Sequence, residues 1–164
     1  MAVPSFWLSI LKRQALMLGD GFSNRYANDW LVWEAGLWMP ATSREKSDVL
    51  ETVLPGTGSA MRPTASDAVC YALWPDASRR ELLVGRATSS DLILNDLTVS
   101  RVAFRLVSAD GWTLVPEAEN VTVSGAPAGP VALTSGQQVR VGDVRLTFLT
   151  GRALLERLQA PAAP

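Results

Sequence analysis

From Asp67 onward the chain alternates apolar and polar residues over short stretches, and turn residues separate one stretch from the next. AVCYALW, ELLVGR, DLILND, RVAFRLV, GWTLV, NVTVSG, QQVRVG and DVRLTFL follow one another in this way. Runs of this length and spacing predict an all-β domain of short strands. Val102, Phe104 and Leu106, and again Val139, Val141 and Val144 beyond a Gly-Asp turn, give each strand one core face. Ala109-Asp110-Gly111 and Ser135-Gly136 predict hairpin turns. The N-terminus has a different period. Phe6, Ile10 and Met17, or Trp7, Leu11 and Leu18, recur at helical spacing and predict a helix capped by Ser5 and ended by Gly19-Asp20-Gly21. In NDWLVWEAGLWM (28–39), Trp30, Trp33 and Trp38 crowd around a Glu-Ala-Gly turn, which predicts a small hairpin or an aromatic strand. Gly151 to Leu158 predicts a brief helix with Leu154, Leu155 and Leu158 on one side, expected to cap an end of the sandwich.

These textures divide the chain into residues 1–39 (helix and Trp-rich hairpin), a linker at 40–67 rich in Ser, Thr, Pro and Gly, a β-sandwich at 68–150, and a helix and tail at 151–164. The tryptophan cluster has two readings: packing against the rest of the molecule, or an exposed patch for a partner. Thr52 in the linker also has two: a solvated polar residue, or a modified threonine folding back on a phosphate site.

Composition narrows the function more than the fold. The 164 residues are 48% apolar, enough for a sizeable core, and the net charge of −1 offers no basic footprint for nucleic acid. The absence of histidine removes the commonest general base and metal ligand, so neither catalysis nor a metal or other cofactor is expected. The single cysteine, Cys70, lies in an apolar run and has no partner for a disulfide, which points to a reduced, cytoplasmic setting. The N-terminal apolar stretch is interrupted by Lys12 and Arg13, and reads as neither a signal peptide nor a membrane anchor.

Candidate chemistry lies in LVGRATSSDLILNDLTVSRVAF, residues 83–104. Arg86 offers a fixed fork of donors matched to phosphate oxygens, and Ser100 and Arg101 add a hydroxyl and a second cation on a neighbouring turn.

The order Gly85-Arg86, Ser90-Asp91-Leu92-Ile93-Leu94-Asn95-Asp96, Val99-Ser100-Arg101, Gly111-Trp112, Ser124-Gly125, Leu133-Thr134-Ser135-Gly136 and Gly142-Asp143 resembles a forkhead-associated (FHA) domain over roughly residues 68–149. The resemblance implies a mainly β fold, an antiparallel sandwich whose end loops bind phosphothreonine peptides. It places phosphate contacts on Arg86 and Ser100, with Arg101 assisting and Ser89 and Ser90 as further candidates for peptide contacts or plain turn residues. Two positions depart from the family pattern. Ala103 stands where the family has the histidine of Ser-Arg-x-His, whose hydrogen bonds steady the loop. Aligned without gaps on Ser124-Gly125, Glu119 replaces the asparagine that grips the peptide backbone, and Asn120 takes a glycine position that favours left-handed backbone. A one-residue deletion puts Asn120 on the family asparagine instead. Glu119 either repels phosphate or pairs with Arg86 and occupies it. The resemblance implies a non-enzymatic interaction module recognising phosphothreonine partners in bacterial serine/threonine kinase signalling. The alternative is a phospho-independent scaffold or assembly subunit working through its Trp-rich N-terminal region. The partner's identity and the oligomeric state are not encoded in these residues.

Overall fold

The computed structural model describes residues 3–36, 62–74, 80–108, 110–127 and 129–160. Most of the expected linker, together with Trp38 and Thr52, lies outside them. Two apolar strands organise the rest: β2 (Asp29–Trp33) and β3 (Val69–Leu73), paired antiparallel from Asp29 opposite Leu73 to Trp33 opposite Val69. Their side chains alternate between two cores. Leu31, Trp33, Val69, Tyr71 and Leu73 face the interior of a β-sandwich, whereas Trp30, Val32, Cys70 and Ala72 face a helical layer on the other side. A strand covered on both faces needs an unbroken apolar run, and WLVW after Asp29 and VCYAL supply it.

Two short elements precede β2. Ser5–Trp7 is a strand, β1, paired with Tyr71, Cys70 and Val69 at one edge of the sheet. Helix α1 starts only at Leu8 and ends at Leu18, so Ser5 does not cap it, and Trp7 occupies the cap without a side-chain hydrogen bond. A short helix, α2 (Gly21–Arg25), follows. The sandwich then continues through β4 (Glu81–Gly85), β5 (Leu92–Ile93), β6 (Phe104–Ser108), β7 (Trp112–Pro116), β8 (Val121–Val123), β9 (Ala126–Pro127), β10 (Val131–Ala132), β11 (Gln138–Val141) and β12 (Val144–Leu149).

The strand orders are β1-β3-β2-β12-β11-β8-β9 in a seven-stranded sheet and β10-β7-β6-β4-β5 in a five-stranded one. Every pair is antiparallel except β4 with β5. The residues Ser135-Gly136 do not close a hairpin, because β10 and β11 belong to different sheets. The N-terminal region therefore supplies two strands of the larger sheet, with β2 between β3 and β12, and is not a separate unit before residue 68.

The C-terminal helix, α3 (Gly151–Gln159), is capped by Thr150, whose hydroxyl accepts from Ala153 N. It does not sit at an end of the sandwich. Its Leu154 and Leu158 join Leu11, Ala15, Phe22, Tyr26 and Trp30 in a core over the outer face of the seven-stranded sheet. Phe6, Tyr26 and Trp30 meet there edge-on or tilted, with centroids 5.7 to 6.0 Å apart. Cys70 is fully buried in the same layer, and burial pushes its thiol far above the ordinary range.

An ion pair helps to fasten the helical layer. Arg157 donates from both terminal nitrogens to Glu34, at 2.9 and 2.6 Å, and Thr147 Oγ1 donates to the same carboxylate. Burial opposes ionisation of Glu34, but the hydrogen bonds from Arg157 and Thr147 and the charges of Arg157 and Arg145 outweigh it, holding the carboxyl below its ordinary 4.5. A depressed folded-state pKa contributes stability that is present above about pH 4.5 and is lost as pH falls through the lower folded value. Chemical denaturation measured against pH is expected to show wild type more stable than Glu34→Gln by about 1 kcal/mol at neutral pH, the gap closing in acid. A gap unchanged down to pH 2 excludes this role for the pair.

Candidate functional site

Loops from both sheets converge at one end of the sandwich, and close approach of backbone to backbone sets their positions. Strand β4 ends at Gly85, over which the segment Arg101-Val102 passes directly. A Cβ on Gly85 would lie 2.2 Å from the Arg101 carbonyl oxygen and 2.9 Å from Val102 Cα. Because glycine admits this contact, the main chain closes a ladder: Arg86 N donates to Ser100 O at 3.0 Å, Ala87 N to Arg101 O at 3.1 Å and Ala103 N to Val84 O at 2.8 Å. The carbonyl of Ala103 in turn accepts from Glu117 N and Ala118 N. The loop carrying Ser100 is thus held by main-chain bonds, and fully buried Ala103 serves through its backbone where the family pattern uses a histidine side chain.

Gly85→Ala is expected to cost about 2–3 kcal/mol, because the 100–102 backbone must move to admit a methyl group. Chemical denaturation measures that loss, and a cost below about 0.5 kcal/mol would show that the loop yields freely.

Arg86 is half-buried, and its Nε donates to Val99 O at 3.1 Å. One edge of the guanidinium is thereby fixed. Its terminal nitrogens have no hydrogen-bond or ion-pair partner among the described residues, and neither has the Ser100 hydroxyl. Arg101 is exposed, and its side chain forms no ion pair among the described residues. Glu119 is exposed and does not pair with Arg86.

Two neighbouring carboxylates are already engaged. Asp91 Oδ2 accepts from Leu83 N at 2.8 Å, and Asp96 accepts from Thr98 N and Thr98 Oγ1 and lies 3.8 Å from Arg62. Ser90 is buried, with its hydroxyl 3.5 Å from Arg101 O, so it belongs to the framework of the loop, while Ser89 is exposed beside it.

Asn120 differs from the gap-free expectation. Its backbone is not among the residues with positive φ, where Asp110 and Ser124 are the non-glycine examples. Its side chain donates to Thr98 O at 2.9 Å, while its carbonyl accepts from Gly142 N at 3.3 Å. Thr98 Oγ1 also accepts from Asp143 N at 2.9 Å, and Gly142 lies so close that a Cβ there would be 2.4 Å from Thr98 O. Thr98 therefore joins three loops. Sequence reasoning missed it; the available signal was the Asp96-Leu97-Thr98 spacing, which favours a side-chain-closed turn.

Two of the N-terminal tryptophans are interior. Trp30 and Trp33 are 0% exposed, one in each core, so neither can serve as the contact surface that the scaffold reading gave to this region. Among the described residues no helix is long and apolar enough to cross a membrane, and no cluster of three metal-ligating side chains occurs.

No family model matches the chain. It is 31% identical over 128 residues to the oxoglutarate dehydrogenase inhibitor of Corynebacterium efficiens, an alignment covering 68% of this chain and 89% of that protein. It is 35% identical over 98 residues to the glycogen accumulation regulator GarA of Mycolicibacterium smegmatis, covering 54% of this chain and spanning 62% of that protein's length. Among solved structures, the FHA domain of the CT664 protein from Chlamydia trachomatis aligns with a TM-score of 0.48 at 16% identity, over 74% of this chain and 96% of that one.

Proposed function

The chain belongs to the forkhead-associated domain family, and from that membership we propose that the Arg86–Ser100 end of the sandwich binds phosphothreonine in a partner protein. The observation that carries this reading is the state of Arg86: Nε is tied to Val99 O, and among the described residues neither its terminal nitrogens nor the hydroxyl of Ser100, whose carbonyl accepts from Arg86 N, have a partner. A guanidinium fixed at one edge loses little freedom on binding and presents a fork that fits two phosphate oxygens. Arg101, exposed on the adjoining turn, adds charge, and Ser89, exposed in the loop after Arg86, is a further candidate for a peptide contact. Asn120 contributes by fixing the neighbouring loop through Thr98.

The relatives bear the names of an inhibitor of oxoglutarate dehydrogenase and a regulator of glycogen accumulation. In keeping with those names, we read this chain as acting in the cytoplasm by binding another protein, without catalysis and under serine/threonine kinase control. The testing experiment is selection from a degenerate peptide library presented in phosphothreonine and unmodified threonine forms. Enrichment confined to the phosphorylated form supports the reading, and equal capture of both forms refutes it.

A further inference from the structure

We propose that Glu119 selects among phosphothreonine partners, favouring those with a lysine or arginine a few residues from the phosphothreonine. This rests on the phosphothreonine reading above. The loops at this end of the sandwich hold two carboxylates in sequence, and the structure treats them differently. Glu117 is engaged by Arg105, whose guanidinium bridges it to Glu81. Glu119, two residues on, is exposed and in no ion pair among the described residues. Its backbone is nonetheless anchored, because Asn120, the next residue, is bound through its side chain to Thr98 O and through its carbonyl to Gly142 N.

Thr98 lies two residues before Ser100, and the carbonyls of Thr98 and Val99 are held by Asn120 and Arg86 respectively. Glu119 is thus joined to the phosphate-facing residues by one side-chain hydrogen bond and a few backbone steps, a span of about 15 Å at most. An extended peptide advances about 3.3 Å per residue, so a ligand anchored by phosphate at Arg86 and Ser100 reaches Glu119 with a side chain two to four residues away.

The end of the molecule is therefore bipolar: guanidinium groups at Arg86 and Arg101 that form no ion pair among the described residues, and a carboxylate across the Thr98 bridge. Glu119 forms no ion pair with Arg86, so both charges stay available to a ligand, and the span between them is one that a peptide bridges. A cation on the ligand gains there and an acidic residue loses, which is specificity by both attraction and repulsion.

The test selects from a degenerate phosphothreonine library with wild type, Glu119→Gln and Glu119→Lys, followed by fluorescence anisotropy on peptides carrying Lys, Ala or Asp at the enriched positions. Circular dichroism checks that each variant is folded. Wild type is expected to bind the Lys peptide about two- to five-fold more tightly than the Asp peptide in low salt. The preference is expected to vanish in Glu119→Gln and to invert in Glu119→Lys, with overall dependence on phosphate retained in all three. Phosphate-dependent binding with no charge preference, or a preference that both variants keep, overturns the role of Glu119 while leaving phosphothreonine recognition intact. Failure of every phosphothreonine peptide to bind wild type overturns the underlying reading and this proposal with it.

Discussion

Arg86→Ala is expected to lower affinity for a phosphothreonine peptide by about 10- to 100-fold, the loss of one charge-assisted, bidentate contact. Among the described residues the Arg86 side chain makes a single hydrogen bond, from Nε to Val99 O, so the same change should cost about 1 kcal/mol of folding stability. The gap between the two effects is diagnostic, because a residue serving only to pin the loop would lose stability and affinity together. Arg86→Lys sharpens the test. Lysine keeps the charge but presents a point where arginine presents a fork, and it cannot hold Val99 O while gripping two oxygens. It should therefore recover only part of the affinity. Isothermal titration of wild type and both variants with one phosphopeptide decides the matter, and an unchanged dissociation constant for Arg86→Ala places the phosphate elsewhere.

Removing residues 1–36 is expected to abolish the folded state. The deletion takes away β2, which pairs with β3 on one side and β12 on the other, and so cuts the seven-stranded sheet in two. It also uncovers the face from which Cys70, Ala72 and Leu149 contact the helices. Domains are stable by about 5–15 kcal/mol, and Trp33→Ala alone should cost about 3–5 kcal/mol, since the ring is 0% exposed in the sandwich core. Loss of the cooperative thermal transition on deletion, with a large drop in denaturation midpoint for Trp33→Ala, is the expected pair of results. A deletion that melts cooperatively shows instead that the sheet closes without β2.

How much of this was legible in the sequence depended on how local the cause is. Gly85-Arg86 and Val99-Ser100-Arg101 were readable because turn residues and a cation occur at fixed offsets from apolar runs, and the structure brings Arg86, Ser100 and Arg101 to one end of the sandwich. Strand β2 was readable as a strand but not as a central one. Its partner β3 begins at Val69, far along the chain, and no local pattern encodes that pairing. A clue was present nonetheless in the unbroken apolar runs of β2 and β3, which imply cover on both faces where alternation implies one.

The start of α1 was misjudged because Ser5 is a good cap, whereas Phe6 and Trp7 gain more as edge-strand partners of Cys70 and Val69. Asn120 tolerates left-handed backbone, but its side chain gains a hydrogen bond to Thr98 O, a partner that lies too far along the chain for local sequence to reveal. Steric necessity at Gly85 was invisible, since the carbonyl it accommodates belongs to Arg101.

Cys70 lies between the seven-stranded sheet and the helices and is the chain's single cysteine. A thiol reagent can reach it only when the helical layer lifts away from the sheet. The rate of modification is therefore a direct readout of that local opening, set against global unfolding in the same tube. The molecule carries its own reporter on how independently its helices breathe from the phosphate-facing loops.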